Sequence, residues 1–237
     1  CALPILQNLF EGEAGIFKVY FRGDYNRTKM LENLGTEYLC AGMTYKYWPA
    51  VGNSHTYIHA AIEMARENAL QVDDIAAVKV YVGTFAERMC KPVEARKAPA
   101  TMMDAKFSLP FTVAIALSAG KMAISDFATS ALADPRILGL AAKVEAVFDP
   151  AFNWNLKLPA GKVQVMLKDG RVIDRLGENV PGTPERPMTW DELATKFRDC
   201  AKVALSPLSD SSISNIQEFV HFLERKGDTT SFLSLLD

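Results

Sequence analysis

Residues 54–83, SHTYIHAAIEMARENALQVDDIAAVKVYVG, decide the fold because they contain a helical period followed directly by a strand period. Over 54–69, apolar residues recur at the three- and four-residue spacing of a helix: Tyr57, Ala60, Ala61, Met64 and Ala65. Over 75–83, the apolar residues alternate with their neighbours as in a strand with one buried face: Val78, Val80 and Val82. The stretch therefore predicts one helix and one strand in succession.

Two further segments predict a hairpin and a buried helix. Residues 162–168 and 171–176 flank Asp169-Gly170, a dipeptide typical of two-residue hairpin turns. Residues 108–120, SLPFTVAIALSAG, are almost wholly apolar, and Pro110 stands in the first turn. An apolar run without a polar face predicts a helix that is buried on all sides.

Weaker patterns predict the remaining elements. Helices are predicted over 24–34, 125–133, 135–143, 190–203 and 212–226, and strands over 36–45 and 144–148. Thr189 and Glu192 form a capping box at the start of the helix over 190–203. Together the elements predict an α+β fold, in which helices cover one small mixed sheet.

Composition and charge exclude several classes of protein. The 237 residues are 49% hydrophobic, which is sufficient for a packed core, and the net charge of −2 argues against a nucleic-acid partner. No apolar run approaches the roughly 20 residues needed to span a bilayer, and no signal-peptide pattern is visible. The four cysteines are widely spaced and are expected to be reduced thiols. We therefore expect a cytoplasmic protein, or a mitochondrial matrix protein in a eukaryote, without a membrane partner.

Lys46 stands at a turn that suits an anion. It follows the predicted strand over 36–45 and precedes the small-residue turn 50–54, which leads into the N-terminus of the helix over 54–69. Free backbone N–H groups and the positive end of the helix dipole attract carboxylates there, and His55 lies at the same turn. The alternative is that Lys46 is an ordinary exposed lysine.

Lys106 and Ser108 form a second polar pair at a helix start. They precede the buried helix over 108–120 and are candidates for contact with a substrate. The simpler interpretation makes Ser108 the N-cap of that helix and Lys106 a surface charge.

The histidines and Cys1 offer weaker candidates. His55 and His59 lie four residues apart on one helix face, a spacing that can bind a metal, but the Glu of a zinc HExxH motif and a third ligand are missing from the pattern. We therefore expect no metal site. His221 is interpreted as a surface residue, and Cys1 as a nucleophile would need processing and a base.

Four stretches together resemble the MmgE/PrpD family, which includes 2-methylcitrate dehydratase, cis-aconitate decarboxylase and iminodisuccinate epimerase. Their order and spacing agree over nearly the whole chain: KYWPAVGNSH at 46–55, DAKFSLPFTVAIALSAG at 104–120, KVQVMLKDGR at 162–171 and PMTWDELATK at 187–196. The resemblance implies a lyase, of the hydro-lyase or carboxy-lyase type, or an isomerase. Such an enzyme acts on a small di- or tricarboxylate without metal or organic cofactor.

The resemblance also implies a domain organisation. Residues 1–34 correspond to the end of an all-α domain, 35–188 to the α+β C-terminal domain, and 189–237 to closing helices that pack back on the helical domain. Most of that helical domain has no counterpart in this chain, so the active site would be completed by it or by a separate helical subunit. The main catalytic base would lie there, and dimers or larger assemblies are expected.

Site residues follow from the matching motifs. The resemblance implies that Lys46 faces substrate carboxylates, that His55 acts in catalysis by orienting substrate or moving a proton, and that Lys106 and Ser108 contact substrate near the cleft. Two positions depart from the family. Val51 stands where members carry His or Cys, and Phe111 where many carry Tyr. These losses of polar groups motivate an alternative, a noncatalytic binding or assembly subunit that retains the fold.

Overall fold

The computed structural model describes residues 8–155 and 158–235 and has the predicted α+β architecture. The strands are β1 Ile75–Val82, β2 Val144–Phe148, β3 Gly161–Leu167 and β4 Val172–Gly177. The helices are α1 Ile16–Phe21, α2 Arg27–Leu31, α3 His55–Glu67, α4 Thr84–Glu87, α5 Val93–Lys97, α6 Met102–Lys106, α7 Leu109–Ala119, α8 Thr129–Leu132, α9 Pro135–Ala142, α10 Trp190–Lys202 and α11 Asp210–His221. Short 3₁₀ turns lie between them, among others at Leu39–Gly42, Gly52–Ser54, Ile124–Phe127 and Leu223–Arg225.

The four strands form one mixed sheet in the order β2-β1-β3-β4. β1 and β2 are parallel, which requires a long crossover, and helices α4 to α9 provide it. β3 and β4 form the antiparallel hairpin predicted from Asp169-Gly170, and Gly170 has a φ of 89° in its turn. The crossover contains α6 and α7, and therefore the stretch 104–120 with Lys106 and Ser108.

Helix α3 packs closely on the hairpin strands. A Cβ added to Gly177 would lie 1.9 Å from the Thr56 backbone oxygen, and one added to Gly161 would lie 2.5 Å from the Tyr57 backbone nitrogen. The Tyr57 hydroxyl donates to the backbone oxygen of Tyr81 at 2.8 Å. These contacts fix the helix relative to the sheet, and with it the side chains on its other faces.

Helix α7 is the buried helix that the sequence predicts. Residues 109–117 are buried in an unbroken run, and α7 packs on α3 and α9. The chain leaves the helix at Gly120, whose φ of 59° lies in the left-handed region that glycine adopts most readily. The predicted capping box of Thr189 and Glu192 is present at the start of α10.

The predicted strand over 36–45 is wrong. The structure has a 3₁₀ turn at Leu39–Gly42 instead, and every side chain from 36 to 45 is exposed. β-forming residues need a partner strand. Within this stretch, only Tyr45 makes a backbone hydrogen bond to a distant part of the chain, from its N–H to Gly182 O at 2.8 Å. Lys46 therefore follows an irregular segment.

Other predicted boundaries shift by smaller amounts. The helix over 24–34 is confined to α2, where Asn26 rather than Asp24 accepts the capping hydrogen bond. The helix over 125–133 is a 3₁₀ turn followed by the single turn α8, and the last predicted helix ends at His221.

By contacts, the chain divides into two compact units, Cys1–Met43 and Thr44–Asp237. In the first unit the ring of Phe17 stacks on Tyr25 at 4.0 Å between centroids, while Tyr20 and Leu34 are about three quarters exposed. The predicted domain boundaries after 34 and 188 stay predictions. No helix in the described ranges is long and apolar enough to cross a membrane.

Candidate active site

A cavity of about 820 Å³ opens beside α3 in the second unit. Four stretches form its walls: residues 46–51, the cavity-facing side of α3, residues 103–124, and residues 181–200 with α10. The volume lies within the range of small-molecule sites. Three of the stretches contain motifs by which the sequence resembles the MmgE/PrpD family.

The cavity has an excess of positive charge. Among the described residues, six cationic side chains line it: Lys46, Arg66, Lys106, Lys121, Arg186 and Lys196. Three carboxylates oppose them: Glu63, Glu192 and Asp199. The surplus is three positive charges when His59 is neutral. A concave surface with such a surplus concentrates small anions.

Lys46 lies on the cavity rim and its backbone is held from two sides. Lys196 Nζ donates to the Lys46 backbone oxygen at 2.5 Å. Trp48, which is 5% exposed, inserts into the core two residues later. The Lys46 side chain itself is exposed and lines the cavity, where an ammonium group can meet an anion.

Lys106 lines the same cavity from α6. Its backbone oxygen accepts from the N–H of Val51 at 3.0 Å, which joins the end of α6 to the turn before α3. Its Nζ lies 5.9 Å from the ring centroid of Phe127, at the distance of a cation–π contact, and the side chain is half-buried. The structure thus brings Lys46 and Lys106, 60 positions apart in the numbering, to one cavity.

Ser108 is the N-cap of α7. Its Oγ accepts from the backbone N–H of Phe111 at 3.0 Å and donates to the backbone oxygen of Arg96. The side chain is fully buried and is not among the cavity-lining residues that the structure describes. The capping interpretation is confirmed, and a contact between Ser108 and substrate stays a prediction.

His55 begins α3 and lies behind Trp48. The two rings meet edge to face at 5.4 Å between centroids, and His55 is 3% exposed. Its Nε2 has no hydrogen-bond partner among the described residues. Burial is the main cause that lowers the pKa of His55 to about 4, and the charge of Lys46 contributes to this shift. Trp48 rather than His55 lines the cavity, so the catalytic role of His55 stays a prediction.

His59, one turn later, lines the cavity and was not singled out for catalysis from the sequence. Its Nε2 lies 3.5 Å from an Arg186 nitrogen and 3.6 Å from Glu63 Oε1. Burial is the main cause that lowers its pKa, Glu63 opposes this, and Arg186 acts with burial. The four-residue spacing of His59 and Glu63 is the sequence signal that could have found this pair.

The remaining candidates of the sequence are placed as follows. Val51 lines the cavity, whereas Phe111 is fully buried inside α7. Within the described ranges, no three His, Cys, Asp or Glu side chains are grouped closely enough to hold a metal ion. The ring of His221 contacts that of Trp190 at 4.4 Å. Cys1 lies outside the described residues.

Comparison with known proteins gives the family. Residues 48–221, well over half of the chain, match the MmgE/PrpD C-terminal domain. This chain belongs to the MmgE/PrpD family. The family match begins within the first cavity wall, at Trp48, and extends through α10 to the last residue of α11.

Two MmgE/PrpD relatives are 2-methylcitrate dehydratases. The mitochondrial enzyme of Yarrowia lipolytica is 30% identical over 115 residues, which are 46% of this chain and 21% of that protein. The enzyme of Cupriavidus necator is 28% identical over 171 residues, 68% of this chain and 34% of that protein. The chain therefore spans about a fifth to a third of the length of these relatives.

Proposed function

We propose that this chain is part of a cofactor-free lyase, dehydratase-like, or of an epimerase, and that it binds a small di- or tricarboxylate. The observation that carries the proposal is the cavity that Lys46 and Lys106 both line, with three more cationic than carboxylate side chains on its walls. The names of the two relatives support the dehydratase form.

The reaction class explains why cations are needed. Removing a proton next to a carboxylate creates an enediolate-like charge, and fixed cations in a partly closed site stabilise such charge as it develops. Lys46 and Lys106 reach the cavity from different elements, so they suit two carboxylates of one substrate. Roles for His55 in proton transfer and for Ser108 in substrate contact belong to the same proposal.

We propose that the site is completed by a helical domain, on a longer form of the chain or on a separate subunit, in a dimer or larger assembly. The first unit supports a covering partner, because Tyr20, Leu34 and Leu39 are each at least 75% exposed. The expected compartment is the cytoplasm or, in a eukaryote, the mitochondrial matrix.

A noncatalytic binding subunit is the second candidate, and Val51 favours it. This side chain lines the cavity and supplies no polar atom at a position where the family resemblance implies His or Cys. The same cationic walls would then bind the acid without turnover, and this chain would catalyse none of the reactions of the family.

Calorimetric titration with citrate tests the anion site. We expect Lys46→Ala to weaken citrate binding about tenfold, because a charge-assisted hydrogen bond contributes about 1.5 kcal/mol or more. Lys168→Ala removes the same charge from the exposed hairpin and should leave the affinity unchanged. Equal affinities of both variants, or no binding of citrate by the unaltered protein, would contradict the proposal.

Turnover separates the two candidates. The protein is assayed with 2-methylcitrate and citrate, alone and with its helical partner, by the appearance of the unsaturated acid. We expect turnover only with the partner and a strong loss in Lys46→Ala. Activity of the chain alone would contradict the completed-site proposal, and binding without turnover in the complete assembly would favour the noncatalytic subunit.

A further inference from the structure

The two neighbours of His59 Nε2 require opposite protonation states of this nitrogen. A guanidinium carries only donors, so the 3.5 Å contact with Arg186 needs an unprotonated Nε2 with a free lone pair. A carboxylate carries only acceptors, so the 3.6 Å contact with Glu63 needs a proton on the same atom. Nε2 can satisfy only one neighbour at a time.

Both neighbours are held in place by other ion pairs. Arg175 of β4 bonds Glu63 through one nitrogen and Glu67 Oε2 through the other, the latter at 2.5 Å. Arg186 lies 3.6 Å from Glu192 Oε1, and Glu192 caps α10. Glu63 is thus fixed by the hairpin, whereas Arg186 is a cavity-lining cation.

A bound anion would change the balance between the two neighbours. Arg186 lines the cavity and is the neighbour that a carboxylate can attract, while Glu63 is kept beside His59 by Arg175. Negative charge in the cavity also favours the imidazolium directly. Without an anion the pKa of His59 lies below 6.5, because burial outweighs Glu63 and both Arg186 and Arg175 disfavour a second positive charge.

We infer that His59 is the proton-carrying residue of this cavity, and that anion binding charges it by exchanging Arg186 for Glu63 as its partner. The inference rests on the proposed function, because it needs an anion in the cavity. One proton moves from solvent to Nε2, the new N–H bond points to Glu63, and no other bond changes. The imidazolium then lies next to the anion as a general acid.

Proton uptake on binding is the direct test. Propane-1,2,3-tricarboxylate, which has no hydroxyl group to eliminate, is titrated into the purified protein in two buffers of different ionisation enthalpy over a range of pH. We expect uptake of up to about one proton per anion, largest between the His59 pKa without anion and its higher value with anion. His59→Gln should still bind, within about tenfold, and should lose this part of the uptake.

Arg175 is the residue that positions Glu63 beside His59, and its variants test this role. Arg175→Gln should reduce the uptake because Glu63 is released, and Arg175→Lys should restore most of it. If a variant does not fold, the His59 imidazole is followed by NMR in the unaltered protein, and its pKa should rise when the tricarboxylate is added. Absence of binding contradicts the proposed function. Binding with equal uptake in His59→Gln, or with an unchanged His59 pKa, overturns this inference alone.

Discussion

The two histidines of α3 belong to two regions that differ in what holds their polar groups. His55 belongs to a buried layer, which we define as His55, Thr56, Ser108 and Gly177, where packing surrounds the polar atoms. His59 belongs to the cavity wall, defined by Lys46, Lys106, His59 and Arg186, where charges surround them. One helical turn separates an imidazole whose Nε2 is unpartnered in the described structure from one with two charged neighbours.

The difference predicts which measured property responds when a residue of each region is substituted. In the buried layer a changed side chain alters packing or leaves a polar atom without a partner, so stability responds. On the cavity wall the long side chains already contact solvent, so anion binding responds while the free energy of unfolding stays nearly constant. The predictions below test this separation, starting with the largest expected effect.

Gly177→Ala should give the largest loss of stability, because it disrupts the packing of the buried layer. The new Cβ would lie 1.9 Å from the Thr56 backbone oxygen, so β4 and α3 must separate. We expect the free energy of unfolding to fall by roughly 3–5 kcal/mol in urea denaturation. Gly139→Ala in α9 is the control, since its Cβ meets no atom within 4 Å and alanine favours a helix. Similar losses in both variants would contradict the close packing of α3 on the hairpin.

His55 should make stability depend on pH. Its pKa is about 4 in the folded protein and 6.5 as an ordinary value, so the unfolded chain binds the proton first as pH falls. The contribution of His55 to the free energy of unfolding is therefore fully present above pH 6.5. It decreases by about 3 kcal/mol on acidification to pH 4, and below that pH this residue contributes no further change. Urea denaturation at several pH values should show a smaller decrease for His55→Gln. Parallel pH profiles of the two proteins would show that His55 is not the cause.

Ser108→Ala should destabilise the protein by about 2 kcal/mol, because one buried hydroxyl caps α7 and also donates to the Arg96 backbone oxygen. Ser209→Ala removes an exposed cap, of α11, and should cost about 1 kcal/mol or less. Thermal unfolding compares the two variants. A loss in citrate binding by Ser108→Ala without a loss of stability would instead support the predicted substrate contact of Ser108.

Lys106→Met should give the smallest effect on stability and test the cavity wall. Methionine is unbranched like lysine, and it removes the charge together with its contact to the Phe127 ring. We expect the free energy of unfolding to change by less than about 0.5 kcal/mol and citrate affinity to fall about five- to tenfold. Lys168→Met is the control for the loss of one positive charge. A large loss of stability in Lys106→Met would remove the distinction between the two regions.

Patterns within one segment predicted most of the fold. The uninterrupted apolar run of α7, the hairpin turn at Asp169-Gly170 and the capping box at Thr189 depend on neighbours in sequence, and all three are present. The strand over 36–45 was wrong because strand formation needs a partner, and composition alone does not provide one.

The candidate site was less predictable for the same physical reason. Lys46 and Lys106 were named from motifs, and the structure brings them to one cavity. The setting of His59 depends on Arg186 in a loop 127 residues later, so no local pattern could show that its Nε2 has a donor beside it. Likewise, the cap of α7 by Ser108 was the simpler interpretation of the sequence, but no local pattern showed that Trp48 would lie between His55 and the cavity.

The bond from Lys196 to the backbone of Lys46 joins residues that are 150 positions apart. We expect closure of so long a loop to come late in folding, after local helices and the hairpin have formed. An acid that binds the finished cavity therefore has no site before this closure. The bound acid should leave the refolding rate almost unchanged and should stabilise the protein by slowing its unfolding.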